Sequence, residues 1–457
     1  MVQSQLPVAV IGAGPVGLAA AAHLLDRGEL PIVFEAGPSV GASIRQWAHV
    51  RVFSPWQYMV DGAAAAILER SGWTTPPAEQ LPTGGELVSQ YLEPLAALPE
   101  IALRLHLNTR VVSVARQGFD KMKTPGREDA PFVVRISRNG VEDEIVAKAV
   151  IDASGTYATP NPLGANGAPA IGERANADRI VYGIPDVLGR DRARYAGRRV
   201  MVVGSGHSAF NALIELGKLA ADVPGTCVTW AIRRADLRQV FGGESADMLP
   251  ARGALGTAVR SMVDAGTLTL VTGFRVARIE RTDDGIVVSS LDRDLAPVDE
   301  IVGATGFRPD LSLLTELRVD LDAVVEAPSA LAPLIDPNVH SCGSVPPHGE
   351  AELRHPETGF YIVGMKSYGR APTFLMLTGY EQVRSVVAAI AGDMEAARNV
   401  QLVLPETGVC SSSPGEAPDG SAVCCGTSPE DSRTAVEVIP VLALATATTS
   451  SSASVCG

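Results

Sequence analysis

Cysteine is nearly absent from the body of this 457-residue chain: Cys227 and Cys342 are the only two in the first 409 positions, and the other four crowd into the last 48. A disulfide framework is therefore excluded for the body, which is long enough to bury a core of its own. A basic excess is missing as well. With 38 Lys+Arg against 51 Asp+Glu the formal net charge is -13, which excludes the basic stripe of a nucleic-acid binder. Aromatic residues are only 5% of the chain, so any local cluster of them stands out. One long apolar run exists, VAVIGAGPVGLAAAAHLL at 8–25. No Lys or Arg precedes it and its glycines are spaced in a way lipid would not require, so neither a signal peptide nor a membrane span is expected. The expectation is a cytoplasmic enzyme or binding protein of two or three domains.

What is present is a repeated device. Residues 6–36 read as strand, glycine turn, alanine-rich helix and strand, with the helix at 16–25 and the second strand at 32–34. A helix is expected over 86–98. Short alternating runs over 109–150, split by a polar loop at 117–130, predict a small antiparallel meander that returns to the main sheet. A Pro/Gly/Ala-rich connector at 158–176 leads to a second strand-turn-helix at 199–219, and a further meander is expected around 268–304. GFYIVGM at 359–365 predicts a strand, followed by a long helix at 375–391. From about Pro405 the Ser/Thr/Gly/Pro content rises and periodicity fades, as in a disordered tail.

The first turn is Gly12-Ala13-Gly14-Pro15-Val16-Gly17, and Glu35 closes the next strand 21 residues after Gly14. Gly12 allows the tight turn, Gly14 lets backbone approach a pyrophosphate, and Gly17 permits close helix-on-sheet packing. The helix N-terminus offers free N–H groups to phosphates, and Glu35 can accept from both ribose hydroxyls. The second turn, Gly204-Ser205-Gly206-His207-Ser208-Ala209, is followed by a strand ending in Arg233-Arg234 rather than in an acid. Guanidinium groups suit a 2′-phosphate, so NADPH is expected here, with solvent-facing arginines as the plainer alternative. His207 reads equally as a polar cap. Two such turns, 192 residues apart, point to two cofactors, FAD first and NADPH second.

With these motifs in hand, the chain resembles the flavin-containing and Baeyer–Villiger-type monooxygenases over roughly residues 6–395. The resemblance rests on GAGPVG followed by FEAG, on DASGTYATPNP at 152–162, on RRVMVVGSGHSA at 198–209 and on ATGFRPD at 304–310. It implies that Ser154-Gly155 and Thr305-Gly306 mark where the chain crosses between domains, and that Trp47, in GASIRQW, lies near the flavin. Ala36, Arg45 and Val111 complete the expected FAD contacts. The chain departs from two relatives' patterns. The CxxxxC pair of disulfide reductases is missing, since no cysteine precedes Cys227, and Tyr182 in RIVYGIPDV stands near where the monooxygenases carry a His. The sequence is also similar to flavoproteins encoded beside arsenic-resistance genes, which implies trivalent arsenicals as substrates.

The expected fold class is α/β, with two Rossmann-like dinucleotide-binding domains: an FAD domain at 1–160 plus 309–395, interrupted by an NADPH domain at 161–308, and a flexible Cys-rich tail at 396–457. NADPH would reduce the flavin, which passes electrons to dioxygen or another acceptor. Gly364 and Thr373 are expected where a helix N-terminus meets the flavin, with Arg370 adding charge. Phe53, Trp56 and Tyr58, in VFSPWQY, are read as a cavity lining or as ordinary core. His348 and His355 are candidates for substrate contact. In the tail, Cys410, Cys424 and Cys425 suit a thiophilic ion or metalloid, against the alternative of incidental thiols. Two rivals stay open: a flavoprotein reductase feeding a tail-bound metal, and a metalloid-binding or sensor flavoprotein without turnover.

Overall fold

The computed structural model describes residues 6–236, 240–242, 249–339, 345–372 and 374–402. These belong to one compact unit, Met1–Pro414. Cys410, Cys424, Cys425 and Thr373 lie outside the described residues.

Two five-stranded parallel sheets organise this unit. In the first, β1 (Val8–Ile11) lies between β2 (Pro31–Phe34) and β7 (Ala149–Asp152), with β3 (Leu105–His106) and β15 (Phe360–Ile362) at the edges. Apolar β1, 5% exposed at most, is what a strand covered on both faces requires. The first-loop helix, Pro15–Asp26, starts with Pro at its first position and buries Leu18, Ala19, Ala20, Ala21, Ala22 and Leu24. Its small side chains admit the helix Met376–Ile390 on its other side. In the second sheet, β9 (Arg199–Val203) sits between β10 (Cys227–Ala231) and β14 (Glu300–Gly303), flanked by β11 (Thr269–Val271) and β8 (Ile180–Tyr182).

Both sheets reverse their winding beside the strand that precedes a glycine turn. The chain moves outward from β1 through β2 to β3, then returns to the other side of β1 as β7. It repeats this with β9, β10 and β11 before returning as β14. Such switch points open a crevice at the carboxyl ends of the strands. The two returning strands lead into segments that pair with each other: Asn161 N–H donates to the Gly306 carbonyl at 2.9 Å and Arg308 N–H to that of Thr159 at 3.0 Å. The chain thus crosses between the sheets on a short two-stranded connection.

The antiparallel sheet β4 (Thr109–Arg116), β5 (Phe132–Arg138) and β6 (Val141–Ala147) matches the first expected meander. The second meander differs. Only β12 (Arg278–Thr282) and β13 (Gly285–Ser289) form a hairpin among the described residues of this stretch; the strands on either side, β11 and β14, pair with β10 and β9 in the parallel sheet instead. The helix expected over 86–98 runs without interruption from Gly84 to Ala97, with one wider, π-helical turn at Val88–Leu92 between Gly84–Leu87 and Glu93–Ala97. Its start is fixed by a capping box in which Thr83 and Glu86 satisfy each other's backbone N–H groups. Among the described residues no helix is long and apolar enough to cross a membrane.

Candidate functional site

The two glycine turns share one geometry. Gly12 has φ +99°, and a Cβ there would stand 2.7 Å from the Ala153 carbonyl oxygen; Gly204 has φ +132°, and its Cβ would meet the Ala304 oxygen at 2.2 Å. Positive φ alone costs an L-residue about 1–2 kcal/mol. The steric conflict costs more, because the obstructing atom is backbone that cannot swing away. Each turn is therefore pressed against the first residues beyond the returning strand, Ala153-Ser154-Gly155 in one case and Ala304-Thr305-Gly306 in the other. This is why the small-residue pairs follow those strands. By contrast, nothing lies within 4 Å of a Cβ on Gly14 or Gly206, so the inner glycines face open space. Both are N-caps without a side-chain cap bond, one at a helix of 12 residues and the other at His207–Asp222, of 16 residues. Uncapped N–H groups in an open cradle fit a pyrophosphate.

The acidic and basic partners differ in how they are held. Glu35 is anchored: Ala13 N–H donates to Oε2 at 2.8 Å and Gly37 N–H to Oε1 at 2.7 Å. A carboxylate has about four acceptor positions, so two stay available to a ribose. Arg233 and Arg234 are exposed past the end of β10, and one guanidinium N–H of Arg233 reaches the Ala165 carbonyl at 3.4 Å. In the second turn Trp230 donates its indole N–H to the Gly204 carbonyl at 2.7 Å, and Ala209 is fully buried. Ser205 and Ser208 are half-buried beside them.

The segment at 51–58 reaches the second turn and the start of the helix Met376–Ile390. Phe53 lies against His207, ring centroids 5.5 Å apart, which gives His207 a packing role at the second loop. Ser54 and Tyr58 line a small crevice with Leu249, Leu375, Met376 and Leu377, at the start of the helix Met376–Ile390. Trp56, in contrast, is 1% exposed and belongs to the core, so the lining expected of the whole aromatic segment falls to Tyr58. Trp47 packs across Gly84, where a Cβ would meet its ring at 2.6 Å. Arg45 pairs with Glu93 at 2.6 Å on the surface, worth about 0.2–1 kcal/mol, a weak restraint on its position. Val111 is buried in β4 beside a bulge, Ala36 is exposed, and Arg370 is an exposed loop residue.

The histidine expectations need correcting. His348 is 1% exposed and both ring nitrogens are taken. Gln382 accepts the Gly364 N–H on Oε1 at 2.7 Å, so its amide must donate to His348 Nε2 at 3.0 Å, and His348 Nδ1–H donates to the Pro346 carbonyl at 3.1 Å. Burial pushes this imidazole below its ordinary range, keeping it neutral. His348 thus supports Gly364, whose φ of +68° turns the chain against Val16 of the first-loop helix. His355 is 4% exposed, accepts from Asp320 N–H through Nδ1 at 3.2 Å, and is pushed down to about 4 by burial. Burial closes both rings to a substrate. Tyr182 donates its hydroxyl to Glu173, which also collects the N–H groups of Leu163 and Ala170 and so shapes the connector.

Three arrangements leave no periodic signal in the residues. One is the Gln382–His348 support of Gly364. Another is a buried Lys366–Asp152 ion pair at 2.7 Å behind the first turn. The last joins His49, Asp186 and Glu215, whose ligand atoms lie within 4.8 Å of one another. Asp186 there already accepts the N–H groups of Gly189 and Arg190, and burial raises the Glu215 carboxyl above the usual range. In each case at least one partner stands 34 or more positions from the others, beyond the reach of any local pattern.

Two parallel sheets with a glycine turn at each switch point, one backed by an acid and one by arginines, define a flavin-dependent oxidoreductase fold, and its cofactor pair is that of the FAD- and NADPH-using flavoproteins. The chain belongs to the pyridine nucleotide-disulphide oxidoreductase family, which matches residues 9–328. The ferredoxin–NADP reductase of Salinispora arenicola is 28% identical over 360 residues, spanning 78% of this chain and 90% of that protein. Among solved structures, bacillithiol disulfide reductase Bdr from Bacillus cereus is similar at TM-score 0.61 and 22% identity, over 85% of this chain and 99% of that one. The flavin-containing monooxygenase from Stenotrophomonas maltophilia is similar at TM-score 0.53 and 21% identity, over 85% and 98%. These structural likenesses are of fold.

Proposed function

We propose that this protein is an NADPH-consuming, FAD-dependent monooxygenase, with residues 1–160 and 309–395 holding FAD and 161–308 holding NADPH. One observation carries the reading: two open glycine cradles with partners of opposite charge occur in one chain that has no cysteine before Cys227, so electrons have no flavin-side dithiol to enter. Bound FAD supplies two-electron chemistry, accepting hydride from NADPH and reducing dioxygen so that one oxygen atom enters the substrate and the other leaves as water. The chain's own work is placement. Gly12, Gly14 and the first-loop helix take the pyrophosphate, while Glu35 takes the ribose and repels a 2′-phosphate. Gly204 to Ala209, with Arg233 and Arg234, take NADPH. The free N–H groups at the start of Met376–Ile390 favour negative charge at the crevice beside them. Its lining is mostly apolar, with Ser54 and Tyr58 as polar contacts, which favours a soft rather than a strongly charged substrate beside the helix start. A trivalent arsenical is our specific proposal, motivated by the resemblance above and by Cys410, Cys424 and Cys425 as a thiophilic capture site. A cytoplasmic location accords with the NADPH requirement.

A second reading follows from the 28% identity to a ferredoxin–NADP reductase: electrons would leave the flavin one at a time to a protein carrier. The two separate in an oxygen electrode. The monooxygenase consumes dioxygen and NADPH one for one, faster with a thioether or trivalent arsenical and not without oxygen. Oxygen-independent NADPH oxidation that rises with added ferredoxin would establish the reductase instead.

A further inference from the structure

Lys366 is sealed inside the protein. Its side chain is 0% exposed, as is that of Asp152, and Nζ donates to Asp152 Oδ2 at 2.7 Å and to Ser154 Oγ at 3.0 Å. Ser154 in turn donates its hydroxyl to Asp152 Oδ1 at 2.6 Å and its N–H to the same atom at 3.1 Å. The backbone is equally committed, since Val363 N–H donates to the Asp152 carbonyl at 3.0 Å. Burying an ammonium and a carboxylate is costly, and a pair of apolar side chains would fill the space as well or better. Packing alone does not explain the choice of residues.

The position of the pair does explain it. Asp152 ends β7 and pairs with Ile11, the last residue of β1, and the next residue's carbonyl oxygen stands 2.7 Å from where a Cβ on Gly12 would be. The ion pair therefore lies directly behind the first glycine turn. Lys366 reaches it from the turn Gly364–Tyr368, which follows β15 and packs against Val16 through Gly364. Asp310 also feels Lys366: its carboxyl is held below its usual range first by Ser312 and, among smaller effects, by Lys366 and Arg110. Without Lys366 the space behind the turn would carry uncompensated negative charge at the very place where the open cradle is to accept a doubly anionic pyrophosphate.

We propose that Lys366 is a positioning residue of the FAD site, cancelling the buried Asp152 charge so that the first glycine turn can accept the pyrophosphate. This rests on the assignment of FAD to that turn. The test is FAD retention by purified full-length protein, read as the flavin dissociation constant from fluorescence of released FAD, with folding followed by near-ultraviolet circular dichroism. Lys366→Met is expected to weaken FAD at least tenfold. Asp152→Asn, which breaks the same pair from the other side, is expected to hold FAD as tightly as the unaltered protein or more so. The double variant is expected to recover to within about threefold. A merely structural role predicts loss in both single variants, and that result would overturn the proposal, as would a Lys366→Met protein that keeps FAD unchanged. Should Lys366→Met fail to fold, Asp152→Asn and the double variant still decide the matter. If the unaltered protein binds no FAD at all, the site assignment itself fails, a separate and recognisable outcome.

Discussion

The two glycine turns are built alike and finished differently, and the difference lies in what stands behind and beyond them. Each is pinned at a switch point by a backbone carbonyl, of Ala153 or of Ala304. Behind the first lies a buried ion pair, and beyond it Glu35 is tied down by two backbone N–H groups. Beyond the second, Arg233 and Arg234 reach into solvent. One motif can thus serve both a resident cofactor and an exchanging one. A partner fixed by backbone suits a ligand that stays, and exposed guanidinium groups suit one that arrives charged and leaves.

The largest expected effect separates the two turns outright. Gly12→Ala should weaken FAD about 100-fold or more, because its Cβ would meet the Ala153 carbonyl within the turn proposed to hold FAD. Gly204→Ala should keep a normal flavin spectrum while the KM for NADPH rises about tenfold or more. Equal loss of FAD in both variants would erase the distinction between the turns. Next in size, Arg233→Ala combined with Arg234→Ala should lower the NADPH over NADH ratio of kcat/KM about 10- to 100-fold, the worth of one or two charged hydrogen bonds. An unaltered ratio would show the pair to be solvent-facing only.

The smallest effect concerns acid. Residues 309–395 hold buried neutral His348 and His355, whereas residues 161–308 contain one histidine, His207, near the surface of its loop. His355 is held at about 4 against an ordinary 6.5. The unfolded chain therefore binds a proton between those values that the native state refuses, so stability falls as pH drops from about 6.5 to 4. At about 1.4 kcal/mol per pH unit the contribution reaches at most about 3 kcal/mol. His355→Phe should flatten the dependence of urea stability on pH in this window. An equal slope in both proteins would assign acid sensitivity elsewhere.

Much of the frame was legible in the residues. The strand-turn-helix units, the first meander and the long last helix lie close to where periodicity puts them, since glycine spacing and apolar runs are local signals. The roles of long polar side chains were not legible. VFSPWQY reads as one aromatic cluster, yet Phe53 meets His207, Trp56 enters the core and Tyr58 lines the crevice. His348 reads as a substrate contact until Gln382, 34 positions later, closes on its ring.

The order of residues alone points to two glycine turns followed by partners of opposite charge, because each depends on residues within about 35 positions of one another. Only the folded chain settles which buried charges face each other and which histidines are closed. Lys366 and Asp152 are 214 positions apart. No local pattern encodes such a pair: whether a charge can be buried depends on desolvation by the whole surrounding fold and on the partner that fold delivers.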